Sequence, residues 1–186
     1  MKKPVSVTVS INLPFGLGGL QGLWEPDEGE KTAAWEMYVE LITRVSVVQL
    51  GPDEGLLREA LASLYSLFGT TRSILREHGP GVAQAKGGGD YSFGLIAVVI
   101  LNQVLRPLLA EWHPRLCDYE GARPPARSRT DHERAWEHGR ELRDILEDVR
   151  DALAEYAELL ARVAGVPSLQ VSVTTMTEDA PQERAP

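Results

Sequence analysis

The residues of this chain that could take part in chemistry are four histidines, one cysteine and a large set of arginines. His78, His113, His132 and His138 are scattered, and only the last two fall within one short stretch. Those two are six residues apart, a spacing that puts them on different faces of a helix, and no Glu-x-x-His pair of the di-iron type occurs. Cys117 is the only cysteine, which excludes an intramolecular disulfide and a cysteine-based zinc site. It follows Trp112-His113-Pro114 with no base organised beside it in the sequence, so it is not assigned as a nucleophile. The expectation is no catalytic residue, no metal and no cofactor.

Binding residues are expected in the segment 102–114. There Asn102, Gln103 and Arg106 stand among leucines, and the segment closes on Trp112, His113 and Pro114. The expected binding set is Asn102, Arg106, Trp112 and His113. An arginine buried in such surroundings needs a carboxylate partner, because an unpaired buried charge is costly. Glu36 or Glu40 is the expected partner, the alternatives being that Arg106 ties helices together or reaches solvent at the kink. A histidine at a helix end can interact with the last carbonyls and the helix dipole, which is the structural role available to His113. The glycine-rich stretch 14–24 is not a phosphate-cradling loop. Gln21 stands where the G-x-G-x-x-G pattern needs its last glycine, and Pro26-Asp27-Glu28 intervene before the next helix. It is expected to be a flexible connector whose Leu and Trp side chains lie over the core.

The elements that must position these residues are legible as periodicity. Val5, Val7, Val9, Ile11 and Leu13 alternate with polar residues, and so do Leu169, Val171 and Val173, which predicts strands over 5–13 and 169–174. Helix one is predicted over 27–50, with Trp35, Tyr38, Val39, Ile42, Val45 and Val48 facing inward. Gly51-Pro52-Asp53-Glu54 separates it from helix two, whose Leu57, Leu61, Leu64, Phe68 and Leu75 lead to His78 and a stop at Gly79-Pro80. A long glycine-rich connection, 79–90, precedes the central helix over 92–115, which is apolar at every position from Phe93 to Leu101 except Gly94. A helix apolar on all sides is buried or in a membrane, and this one is interrupted before the ~20 apolar residues that spanning requires. Pro107 should kink it and His113-Pro114 should end it. Residues 121–129 form a basic proline-containing connector. Thr130 to Glu133 match a capping box that opens helix four, which runs to Ala164 with Leu142, Leu146, Val149, Leu153, Tyr156, Leu160 and Val163 as its seam.

The predicted architecture is mainly α, a four-helix up-down-up-down bundle in one domain over 1–175, with 176–186 a disordered tail. The N- and C-terminal strands leave the bundle at the same end, where they can pair as a two-stranded antiparallel ribbon. Such a ribbon is marginal alone and must lie on the bundle, dimerise or join a partner's sheet. The composition, 43% hydrophobic and 25% charged, is that of a globular chain. A net charge of −8 argues against a DNA-binding or general nucleic-acid-binding role, which needs a basic face. The basic start lacks a continuous apolar run, so a cytoplasmic location is expected. Arginine outnumbers lysine fifteen to four, a usage associated with GC-rich bacterial genomes.

Two resemblances bear on function. The segment Asn102 to Pro114 resembles a signature in uncharacterised bacterial helical proteins of multi-gene signalling or defence loci, which implies an accessory, non-catalytic component that works beside a separate effector. Arg72 and His78 resemble the Arg-x(4-6)-His pair of HEPN ribonucleases, which implies a dimeric, metal-independent ribonuclease with those two residues catalytic. Arg106 with His113 and Arg127 with His132 satisfy the same spacing, so the pattern by itself singles out no pair. The expected partner is a protein or a second copy, engaged through the ribbon. RNA enters only with the ribonuclease reading, and membrane association only if the stretch 15–24 inserts as a wedge.

Overall fold

The computed structural model describes residues 6–44 and 55–169. Strands β1 (Val7–Asn12) and β2 (Gly19–Trp24) form an antiparallel hairpin. There follow α1 (Glu28–Ile42), α2 (Leu57–His78), a 3-10 turn (Pro80–Ala83), α3 (Phe93–Gly121), α4 (Arg129–Arg134) and α5 (Gly139–Ala164). The protein is mainly helical with a two-stranded antiparallel sheet. Among the described residues there are five helices, where four had been predicted.

The ribbon is not the one expected. β1 pairs with β2, the stretch read as a connector, in a register that sets Val7 opposite Trp24 and Ile11 opposite Leu20. Val7, Val9, Ile11 and Trp24 face the core, while Thr8, Ser10 and Asn12 face out. The glycines that suggested a loop serve the hairpin instead. Gly16 and Gly18 adopt φ of 70° and 78° at its turn, and a Cβ on Gly22 would stand 2.6 Å from Asp90 Oδ2 and 2.8 Å from the Tyr91 ring. Leu169 is not in a strand, and the rest of the predicted C-terminal strand, 170–174, lies outside the described residues, as does the tail.

Helix α1 begins at a reciprocal capping box. Asp27 Oδ1 accepts from the Glu30 amide at 2.9 Å, and Glu30 Oε2 accepts from the Asp27 amide at 3.2 Å. Glu30 is fully buried and also accepts from Trp24 Nε1, the Phe93 amide and Lys86 Nζ, at 3.1, 3.0 and 2.9 Å. One carboxylate therefore ties the end of β2 and the starts of α1 and α3 to the 84–92 loop. That loop lies along β2: the Asp90 and Tyr91 amides donate to the Leu23 carbonyl, and the Leu23 amide donates to Asp90. The inward face of α1 is Ala33, Ala34, Met37, Tyr38 and Leu41. Trp35, predicted inward, is exposed and Val39 is half-buried, because the face that α1 turns to the core runs through Ala33, Ala34, Met37, Tyr38 and Leu41. The predicted continuation to residue 50, with Val45 and Val48, lies outside the described residues.

Helix α3 continues past both predicted interruptions. Pro107 has no amide to donate, and the turn before it, Ile100–Leu105, widens to a π-helix in which the Arg106 amide reaches back five residues to the Leu101 carbonyl. Pro114 does not end the helix. It and Ala110, whose carbonyl loses its helical donor, are on the solvent side, where water can replace the missing bond. The result is 29 residues, long and apolar enough by length and composition to cross a membrane, with 56% of its most apolar window buried by the rest of the protein.

The predicted fourth helix is two. Ser128, not Thr130, caps α4 by accepting from the Asp131 amide at 3.0 Å. Glu133 does not fold back on its own helix. It reaches α2, where both its oxygens accept from the Leu57 amide at 3.0 and 2.9 Å. Leu56 at that N-terminus has no side-chain acceptor, so Glu133 supplies one from another element. After a turn at 135–138, α5 buries Leu142, Val149, Leu153, Tyr156, Leu160 and Val163 as the seam predicts, with Leu146 half-buried.

Candidate functional site

A partly enclosed cleft of about 360 Å³ opens where the start of α2, the end of α3 and the short α4 meet. Its floor is aromatic. The Tyr119 and His132 rings stack at 4.1 Å, and each residue bonds the other's backbone. Tyr119 Oη donates to the His132 carbonyl at 2.7 Å, and His132 Nε2 lies 2.9 Å from the Tyr119 carbonyl. A carbonyl only accepts, so Nε2 is the donor of this bond. Nδ1 is buried and has no hydrogen-bond partner among the described residues.

Arg58 forms the wall on the α2 side. Its Nε and Nη2 donate to Glu120 Oε2 at 2.9 and 2.6 Å, its Nη1 lies 3.1 Å from His113 Nε2, and its Nη2 lies 3.3 Å from Cys117 Sγ. The Glu120 hydrogen bond holds the guanidinium above its ordinary pKa against the opposing effect of burial. Because Arg58 only donates, His113 accepts through Nε2 and carries its proton on Nδ1, 3.9 Å from Cys117 Sγ. Arg123, Arg129, Glu59 and Glu133 complete the lining, with Arg129 and Glu59 exposed, Arg123 half-buried and Glu133 buried. Among the described residues no group of three or more His, Cys, Asp or Glu is placed to hold a metal.

The four residues expected to bind are not gathered into one site. Asn102 and Arg106 are exposed and satisfy each other, the guanidinium donating to Asn102 Oδ1 at 3.0 and 2.8 Å and lying 5.5 Å from the Phe68 ring centre. The carboxylates expected to face Arg106 are engaged elsewhere: Glu36 with His78 at 3.0 Å, and Glu40 with Arg44 at 2.6 Å. Arg106 needs neither, because its side of α3 stays in water and no desolvation has to be offset. Trp112 is buried behind the cleft, edge-on to Trp136 at 6.1 Å and with Arg115 over its face at 5.0 Å. His113 reaches the cleft through its bond with Arg58. Arg72 is exposed on α2, while His78 is half-buried against Glu36, so the two stand in different surroundings on one helix.

Sequence reasoning missed Arg58, Tyr119, Glu120 and Glu133. They come from three separated segments with no spacing in common, and only the basic run holding Arg123 and Arg129 gave a signal.

A second exposed feature is the tip of the hairpin. Phe15 takes φ of 63°, a left-handed conformation unusual for a bulky residue, and Phe15 and Leu17 are each 45% exposed. Bonds from the Leu13 amide to the Gly18 carbonyl and from the Leu17 amide to the Pro14 carbonyl fix the turn. The edges of the hairpin are partly covered. Glu155 takes the Asn12 amide, Arg162 reaches the Thr8 carbonyl, and the 84–92 loop occupies Leu23. No family model, curated protein or solved structure matches the chain.

Proposed function

We propose that this protein is a non-catalytic interaction component, an accessory subunit that docks a protein partner through the tip of its β1–β2 hairpin. The observation that carries the reading is Phe15, a large apolar side chain held in water by a left-handed backbone and a hydrogen-bonded turn, beside an equally exposed Leu17. A bulky residue in that conformation is strained by about 1–3 kcal/mol, and strain of this kind concentrates where a side chain must be presented. The partly covered strand edges favour the tip over the edge as the contact. The resemblance of the 102–114 segment supports a place in a bacterial multi-gene signalling or defence system, where an accessory chain acts beside a separately encoded effector.

The test is capture of partners from the native host with the wild-type chain and with Phe15→Ser/Leu17→Ser. Loss of a stoichiometric partner in the variant, with unchanged thermal stability, supports the reading. The same partner set with both proteins overturns it. Sedimentation of the purified protein separates a second copy of this chain from a different partner.

A further inference from the structure

We propose that the cleft between α2, α3 and α4 binds a small organic phosphate of about mononucleotide size, with its phosphate held by Arg123 and Arg129. A concave volume of about 360 Å³ is that of a small-molecule site, larger than a lone anion would fill.

Three arginines and three glutamates line the cleft, which looks balanced until each is followed to its partner. Glu120 is engaged with Arg58. Glu133 is engaged with the Leu57 amide and with Arg143 Nη2 at 3.3 Å. Arg123, Arg129 and Glu59 remain, none of them in an ion pair among the described residues, so the unpaired charges of the cleft are two positive and one negative. Arg123 is anchored by one bond from Nη1 to the Arg127 carbonyl, which leaves most of its five N–H donors available. Two guanidinium forks are matched by a phosphate group, whose terminal oxygens can accept from both.

The remainder of the ligand would lie along Leu56 and the Tyr119–His132 floor, with Glu59 at the rim to accept from its hydroxyl or amino groups. A long polyanion is disfavoured at this cleft. RNA leaving the cleft would run over the surface of a chain with net charge −8.

The experiment is titration calorimetry on the full chain with four probes: a purine ribonucleoside monophosphate, the same nucleoside without phosphate, inorganic phosphate, and a short RNA. The monophosphate should bind, inorganic phosphate should compete with it, and the bare nucleoside should not bind. Arg123→Ala/Arg129→Ala should weaken binding by roughly ten- to a hundredfold, the usual worth of charged hydrogen bonds, with unchanged thermal stability. Arg140→Ala, which removes one exposed charge outside the cleft lining, should bind as the wild type does. The proposal is overturned if neither phosphate binds at millimolar concentration, if the nucleoside binds as well as its phosphate, if the double variant keeps wild-type affinity, or if RNA binds more tightly than the mononucleotide.

Discussion

Glu30 and Trp112 show at the residue scale how much one side chain can hold. Glu30 is a buried carboxylate whose donors come from β2, α1, α3 and the loop between helices. Glu30→Ala would leave Trp24 Nε1 and the Phe93 amide without their acceptor and Lys86 without its buried partner. The expected loss is about 3–5 kcal/mol, read from urea denaturation, with a smaller loss for the isosteric Glu30→Gln. Trp112 is 2% exposed, and its removal opens a cavity beside Trp136. Trp112→Ala should destabilise by about 3–5 kcal/mol. Phe15 gives a prediction of the opposite sign. Phe15→Gly relieves a left-handed backbone strain of about 1–3 kcal/mol but admits more unfolded-state freedom, so stability should stay level or rise slightly. Phe15→Val should lower it, since a β-branched residue resists φ of 63°. Thermal melts of the two variants check the contrast.

At the scale of elements, the joints between segments carry the fold's specificity. The N-terminus of α2 is capped from α4 by Glu133, and the outer edge of β2 is covered by the 84–92 loop. Gly22→Ala would drive a methyl group into Asp90 and Tyr91, so the loop should lift from β2. Amide exchange should then speed up at Leu23, Asp90 and Tyr91 while the α5 amides keep their protection. Survival of the wild-type protection at those three amides would count against the contact.

For the whole molecule, the Asp27–Glu30–Lys86 cluster sets a pH dependence. Burial pushes the Asp27 carboxyl up, but the Glu30 amide and the Lys86 ammonium outweigh it, and its folded pKa lies below the ordinary 3.8. Its stabilisation is present above that ordinary value and is lost as pH falls through the folded one. Burial pushes Lys86 down, but Glu30 and Asp27 outweigh it, and its folded pKa lies above the ordinary 10.5. Its stabilisation is present below 10.5 and is lost as pH rises through the folded value. Lys86→Met should therefore remove stability at neutral pH and flatten the alkaline decline, as read from urea midpoints across pH. An unchanged alkaline limb would show that other groups control it.

The sequence by itself determined the helical class, the first strand, α2, and the buried seam of α5. Each is a local periodicity or a stop signal that one segment carries alone. Tertiary structure decided the rest. Gly19–Trp24 became a strand because β1 supplied its backbone partners and the 84–92 loop filled the space left by Gly22, neither of which is written in the stretch itself. Pro114 failed to end α3 because the lost bond faces water, and Glu133 capped a helix more than seventy residues away because that helix lacked an acceptor of its own. The cleft was illegible for the same reason. Its charges balance in the sequence, and only their pairing in space, Glu120 on Arg58 and Glu133 on the Leu57 amide and Arg143, leaves Arg123 and Arg129 against the one unpaired carboxylate of Glu59 among the described residues.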